Sequence, residues 1–125
     1  MTVNSDPSLY PFMLDPGFVQ LLNRLLAEND TGEGVIFNFR DPTYSPETGG
    51  FHPVEICIDV KGVLLYVTDF AYFGIPPELE KELDFDFSQG IFQQFGQDHD
   101  LVVGQGLFRL YTQNFSAYYD MGVYE

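Results

Sequence analysis

Residues 51 to 74 run FHPVEICIDVKGVLLYVTDFAYFG, and the alternation within them points to a β-hairpin around which the rest of the chain packs. Val54, Ile56, Ile58 and Val60 recur at every second position, and Val63, Leu65 and Val67 do so beyond Lys61-Gly62. With those two residues as the loop, Val60 faces Val63, Ile58 faces Leu65 and Ile56 faces Val67. Aliphatic side chains then line one face of both strands, and that face requires a cover. The other face carries Glu55, Cys57 and Asp59 against Leu64, Tyr66, Thr68 and Phe70, a mixed surface suited to solvent or to a partner.

Covers are available on both sides in sequence. Asp15-Pro16 reads as an N-cap followed by proline at the first helical position. From residue 18 to 28, Phe18, Val19, Leu21, Leu22, Leu25 and Leu26 fall on one half of a helical wheel, and Asn29, Asp30, Thr31 and Gly32 end the helix. Val35, Phe37 and Phe39 alternate as a first strand, followed by a long connection, DPTYSPETGGFHP, over residues 41 to 53. Pairing of that strand with the next predicts an exposed ion pair between Arg40 and Glu55, worth about 1 kcal/mol or less. After the hairpin, ELEKEL at residues 78 to 83 reads as a short helix. Residues 84 to 87 alternate as a fourth strand, and Ser88-Gln89-Gly90 turns it into a fifth at residues 91 to 95. Gln97, Asp98, His99 and Asp100 read as a polar loop. Leu107, Phe108, Leu110, Tyr111, Phe115, Tyr118 and Tyr119 gather on one side of a closing helix that Gly122 ends.

The sum is an α+β fold, an antiparallel sheet of about five strands with amphipathic N- and C-terminal helices packed mainly on one face. Residues 1 to 125 form a single domain, with residues 1 to 14, rich in Leu9, Tyr10, Phe12 and Met13, as an extended arm laid on the core.

Composition narrows the function classes. Nineteen acidic residues against five basic ones give a net charge of −14. Without a basic stripe there is no counterion release to drive nucleic-acid binding, so direct contact with DNA or RNA is not expected. The acidity serves solubility or steers a basic partner. The opening residues lack a signal-peptide pattern, and no apolar run reaches the roughly 18 residues of a membrane span. The single Cys57 cannot form an internal disulfide. These features together predict a cytoplasmic protein without a membrane partner.

Within the 41 to 53 loop and just beyond it, Asp41, Tyr44, Glu47, His52 and Glu55 form the best constellation for chemistry. His52 beside Glu47 or Glu55 is suited to acid-base work, as in a small hydrolase. The same residues suit binding, and Tyr44, Glu47, Phe51, His52, Tyr66 and Phe70 are the candidate contacts. Asp98, His99 and Asp100, with Asp84 and Asp86, offer oxygen and imidazole ligands for a metal. Their spacing matches no EF-hand, zinc or metalloprotease pattern, and a solvated turn explains them more simply. Cys57 reads as a strand filler, and Gly104-Gln105-Gly106 lacks the third glycine of a dinucleotide loop. No cofactor is indicated.

The segments NFRDPTYSPETGGFHPVEI (38 to 56), YVTDFAYFG (66 to 74), ELDFDF (82 to 87) and QNFSAYYDMGVYE (113 to 125) give the chain its resemblance to a family of short, acidic bacterial proteins known as a domain of unknown function. The resemblance implies no activity, cofactor or catalytic residue. Its members' occurrence on mobile elements favours regulation or interaction with host proteins over metabolism. The resulting expectation is a non-enzymatic protein-interaction or regulatory module with an acidic surface and another, basic protein as partner. The alternatives are the His52 hydrolase and an acidic DNA mimic that blocks a nucleic-acid-binding protein.

Overall fold

The structure, a computed structural model, describes residues 1–29 and 32–124. The first helix, α1 (Pro16–Glu28), begins where the sequence places it. Asp15 Oδ2 accepts the Phe18 N–H at 3.1 Å, and Pro16 takes a position whose N–H has no helical acceptor. Phe18, Leu21, Leu22, Leu25 and Leu26 are all buried. The Asn29 N–H reaches the carbonyls of Leu25 and Leu26. Asp30 and Thr31, expected in the terminating turn, lie outside the described residues.

Six strands follow: β1 (Val35–Phe39), β2 (Val54–Ile58), β3 (Leu64–Phe73), β4 (Glu78–Asp86), β5 (Ile91–Gln94) and β6 (Gln97–Asp100), with α2 (Gln105–Asp120) last. Each strand pairs antiparallel with its neighbour in sequence, in the order β1-β2-β3-β4-β5-β6. The α+β class is as expected, with six strands in place of about five. Among the described residues no helix is long and apolar enough to cross a membrane.

Both added strand segments come from stretches with misleading local signals. ELEKEL is rich in helix formers, but it lies in β4, where it pairs with the second half of β3. Helix propensity separates these residues by only tenths of a kcal/mol each, whereas β3 runs on through Phe73 and offers its backbone groups as a template. The polar run Gln97 to Asp100 is likewise the edge strand β6, not a loop.

The central hairpin also departs from its expected register. Ile56 does face Val67, but Cys57 pairs with Tyr66 and Ile58 with Leu64, so Leu65 is an extra residue in β3. The cause is the turn. Asp59 Oδ1 accepts the N–H groups of Lys61 and Val63, both at 2.9 Å, and the Asp59 N–H bonds to the Val63 carbonyl at 3.0 Å. The connection is therefore longer than Lys61-Gly62 and leaves Val60 exposed. The bulge sends Leu64 into the core and leaves Leu65 half-buried. Gly62, at φ +80°, is required here, because a Cβ on it would stand 2.2 Å from the Thr2 carbonyl oxygen.

That close approach belongs to the N-terminal segment. The Asn4 N–H bonds to the Gly62 carbonyl at 2.8 Å. Tyr10 Oη donates to the Asn4 carbonyl and accepts the Leu64 N–H. Val3, Tyr10, Phe12 and Leu14 are buried against the core.

One core fills the space between the sheet and the helices. Phe85 of β4 meets Phe108 of α2 at 4.9 Å, Phe39 of β1 meets Phe115 at 4.9 Å, and Phe18 of α1 touches both α2 phenylalanines. Burial of each such ring contributes about 2–3 kcal/mol. On α2, Leu110 is exposed and Thr112 is buried, the reverse of the wheel reading. Thr112 Oγ1 satisfies itself on the Phe108 carbonyl at 2.9 Å.

Candidate functional site

The 41 to 53 loop is ordered by its own side chains. Asp41 Oδ1 accepts the N–H and hydroxyl of Thr43, and Oδ2 accepts the Phe51 N–H at 3.0 Å. The Phe51 N–H, with the Thr43 donors after it, holds the Asp41 carboxyl below its ordinary range. Tyr44 stacks on Tyr72, its hydroxyl accepts the Tyr72 N–H at 3.2 Å, and its ring lies 5.2 Å from that of His52. Phe51 packs on Tyr118 of α2 at 4.6 Å. Tyr44 and Phe51 are thus both half-buried against other rings, and Phe51 forms part of a wall.

Behind that wall is a cleft of about 330 Å³ between the loop, the sheet and α2, lined by His52, Asp69, Tyr111, Tyr118 and Tyr124 among others. His52 Nδ1 stands 2.8 Å from Glu82 Oε2 and 3.3 Å from both oxygens of Asp69. The fold creates this meeting through a second bulge. Asp69 pairs with Leu83 and Phe70 with Lys81, so Glu82 is left without a partner in β3. Burial first, and then the adjacent Glu82 carboxyl, push Asp69 up to about 8. Burial also raises Tyr111 well above the usual phenol range and lifts Tyr124 to about 12, with the charge of Asp69 adding to both. The Tyr111 and Tyr124 phenols therefore stay neutral.

His52 thus meets carboxylates other than the expected Glu47 and Glu55. Glu47 is exposed in the turn closed by the Ser45–Gly49 bridge. Glu55 alternates with core-facing Val54 and Ile56, which puts it on the far face of the sheet. There its Oε2 accepts the Tyr66 hydroxyl at 2.5 Å. Its cross-strand neighbour is Asn38, and no ion pair joins it to Arg40 among the described residues.

The far face has a second depression, of about 210 Å³, lined by Glu55, Tyr66, Thr68, Lys81, Asp84 and Asp86. Thr68 Oγ1 donates to Asp84 Oδ1 at 2.7 Å, and Lys81 Nζ lies 3.6 Å from Asp84 Oδ2. Burial and the hydrogen bond to Glu55 raise Tyr66 above the usual phenol range. Burial, then Glu55 and Asp59, push the Cys57 thiol up, which is the reverse of an activated nucleophile. Phe70 lines a smaller hollow of about 70 Å³ beside Arg40 and Leu79.

Asp98, His99 and Asp100 do not converge. As consecutive residues of β6 they alternate faces, Asp98 accepts the Gln93 amide at 2.7 Å, and the His99 ring lies against Phe92. Asp84 and Asp86 belong to the far-face depression instead. The residues that sequence reasoning missed are Asp69 and Glu82. A signal for the first was present: in Val67, Asp69, Ala71 a carboxylate occupies a core-facing position of an alternating strand.

The fold and these two sites define an antiparallel meander backed by two helices, with one polar cleft on the helical side and one acidic hollow on the open side. The chain belongs to the family described as Protein of unknown function (DUF2787), whose model matches residues 16–125. No curated protein matches the sequence. Among solved structures, it is 38% identical to the conserved hypothetical protein VC1805 from pathogenicity island VPI-2 of Vibrio cholerae, with TM-score 0.77 and 90% of each chain covered. That protein is described as sharing structural homology with the human P32 protein. The chain is also 38% identical to the hypothetical protein VC0508 from the VSP-II pathogenicity island of Vibrio cholerae, with TM-score 0.78 and 99% of this chain and 95% of that one covered.

Proposed function

We propose that this chain is a cytoplasmic protein-interaction or regulatory module, and that its open sheet face receives a basic segment of another protein. The observation that carries this reading is the convergence of Glu55, Asp84 and Asp86 around Tyr66 on the face that the helices leave uncovered. Among the described residues, Lys81 is the one cation lining that hollow, and Asp84 already engages it. A guanidinium or ammonium would find carboxylate acceptors there and an aromatic ring beside them. The net charge of −14 would speed its approach at low salt. Two similar proteins come from pathogenicity islands, a setting that favours action on other proteins. The DNA-mimic reading fares less well. Asp6, Asp15, Asp41 and Asp59 all accept N–H groups at turns and caps, so part of the acidity serves local structure.

A backbone-amide NMR titration with an arginine-rich peptide at low ionic strength tests the proposal. Shifts should cluster on residues 55, 66, 84 and 86, disappear at high salt, and weaken at least tenfold in the Glu55→Gln, Asp86→Asn double variant. Shifts spread evenly over the surface, or unaltered in that variant, would sink it. The hydrolase reading retains one supporting observation, the approach of His52 to Asp69 and Glu82, with those carboxylates in place of Glu47 or Glu55.

A further inference from the structure

From the cleft beside α2 we infer that His52, Asp69 and Glu82 form a binding site for a divalent transition-metal ion, with Zn²⁺ the first to test. Three observations carry this. One ligand atom from each residue can be chosen so that all three lie within 4.8 Å of one another. The 3.3 Å from His52 Nδ1 to Asp69 lies within the donor–donor edges of about 3.0–3.4 Å that ligand bonds of about 2.1 Å produce around such an ion, and the 2.8 Å to Glu82 falls slightly short of them. Most telling, Asp69 is only 5% exposed, and its Oδ1, although 3.3 Å from His52 Nδ1, is buried without a hydrogen bond among the described residues. A buried acceptor without a hydrogen bond destabilises the fold, and a bound cation would satisfy it.

The chemistry of the donor set selects the class of ion. One imidazole nitrogen with two carboxylate oxygens suits Zn²⁺ or Mn²⁺ better than Ca²⁺, which takes six to eight oxygens. His52 and Asp69 line the cleft, which offers room beside them for water or a partner's group. The site is also supported from outside. Tyr44 lies against the His52 ring, and the loop carrying both is tied down by Asp41. The bulge that leaves Glu82 without a partner in β3 brings its carboxylate to the same point. This site is independent of the open-face reading, and the two can fail separately.

The test uses the full chain, stripped with EDTA, and two measurements. Calorimetric titration with ZnCl₂ should give one saturable site, weakened at least tenfold by His52→Ala and by Glu82→Gln but unchanged in the Asp98→Asn, Asp100→Asn double variant. Substoichiometric MnCl₂ added to the unsubstituted protein should broaden amide signals at residues 52, 69 and 82 before any others, a readout that needs no variant to fold. Absence of a saturable site up to 1 mM metal overturns the inference. So does binding that persists in both cleft variants, or broadening that appears first at residues 98 to 100.

Discussion

At the scale of single residues, aspartate in this chain is a turn-forming residue more than a charge. Asp59 sets the length of the central hairpin turn by accepting two N–H groups, and Asp41 does the same for the 41 to 53 loop. Because donors favour the ionised form, the folded-state pKa of Asp41 is lowered relative to the unfolded chain. The unfolded chain then binds the proton more readily in the acid range, so the contribution of Asp41 is present above the ordinary carboxyl pKa and is lost as pH falls through the lowered one. Amide exchange at Phe51 should therefore accelerate, once corrected for its intrinsic pH dependence, as the protein is acidified. Asp41→Ala should show the fast rate at every pH. An equally protected Phe51 amide in that variant would mean the carboxylate does not hold the loop. The cleft carboxylates show what single-residue reading misses. His52 was legible as a candidate, but its partners Asp69 and Glu82 lie 17 and 30 residues further along the chain. Only strand pairing with a bulge in it brings them together.

Elements were legible where local and long-range preferences agree. Both helices, β1 and the turn into β5 follow from periodicity and caps, since a capped amphipathic helix over an apolar sheet face satisfies both at once. ELEKEL was misread because its helical preference is local and the template that overrules it is β3. The hairpin register was misread by one residue for a related reason: alternation alone cannot reveal a bulge, and a one-residue slip exchanges faces. This gives a sharp comparison. Leu64 is fully buried and Leu65 only partly, so Leu64→Ala should cost about 3 kcal/mol in urea denaturation and Leu65→Ala about 1 kcal/mol or less. The uninterrupted two-residue hairpin demands the opposite order, and finding it would restore that register.

For the molecule as a whole, the decisive quantity is the imbalance of nineteen acidic residues against five basic ones. Among the described residues, two of those five are engaged with carboxylates, Arg24 with Asp120 at 3.4 Å and Lys81 with Asp84 at 3.6 Å. Arg24 and Asp120 are both largely exposed, so their pair adds little. Self-repulsion should then outweigh ion pairing across the surface, and it acts through solvent, where it is screened within about 10 Å at 0.1 M salt and about 3 Å at 1 M. Raising NaCl from about 0.05 to about 0.5 M should stabilise the fold by about 1 kcal/mol, which for a chain of this length raises Tm by about 4 °C. Scanning calorimetry across that series decides the matter. A Tm that falls with salt would mean attractive pairs dominate, and the acidic surface would be balanced within the molecule rather than left open to a basic partner. A Tm that rises means the fold carries a standing electrostatic cost, which a cationic partner on the open face, or a divalent ion between Asp69 and Glu82, would relieve.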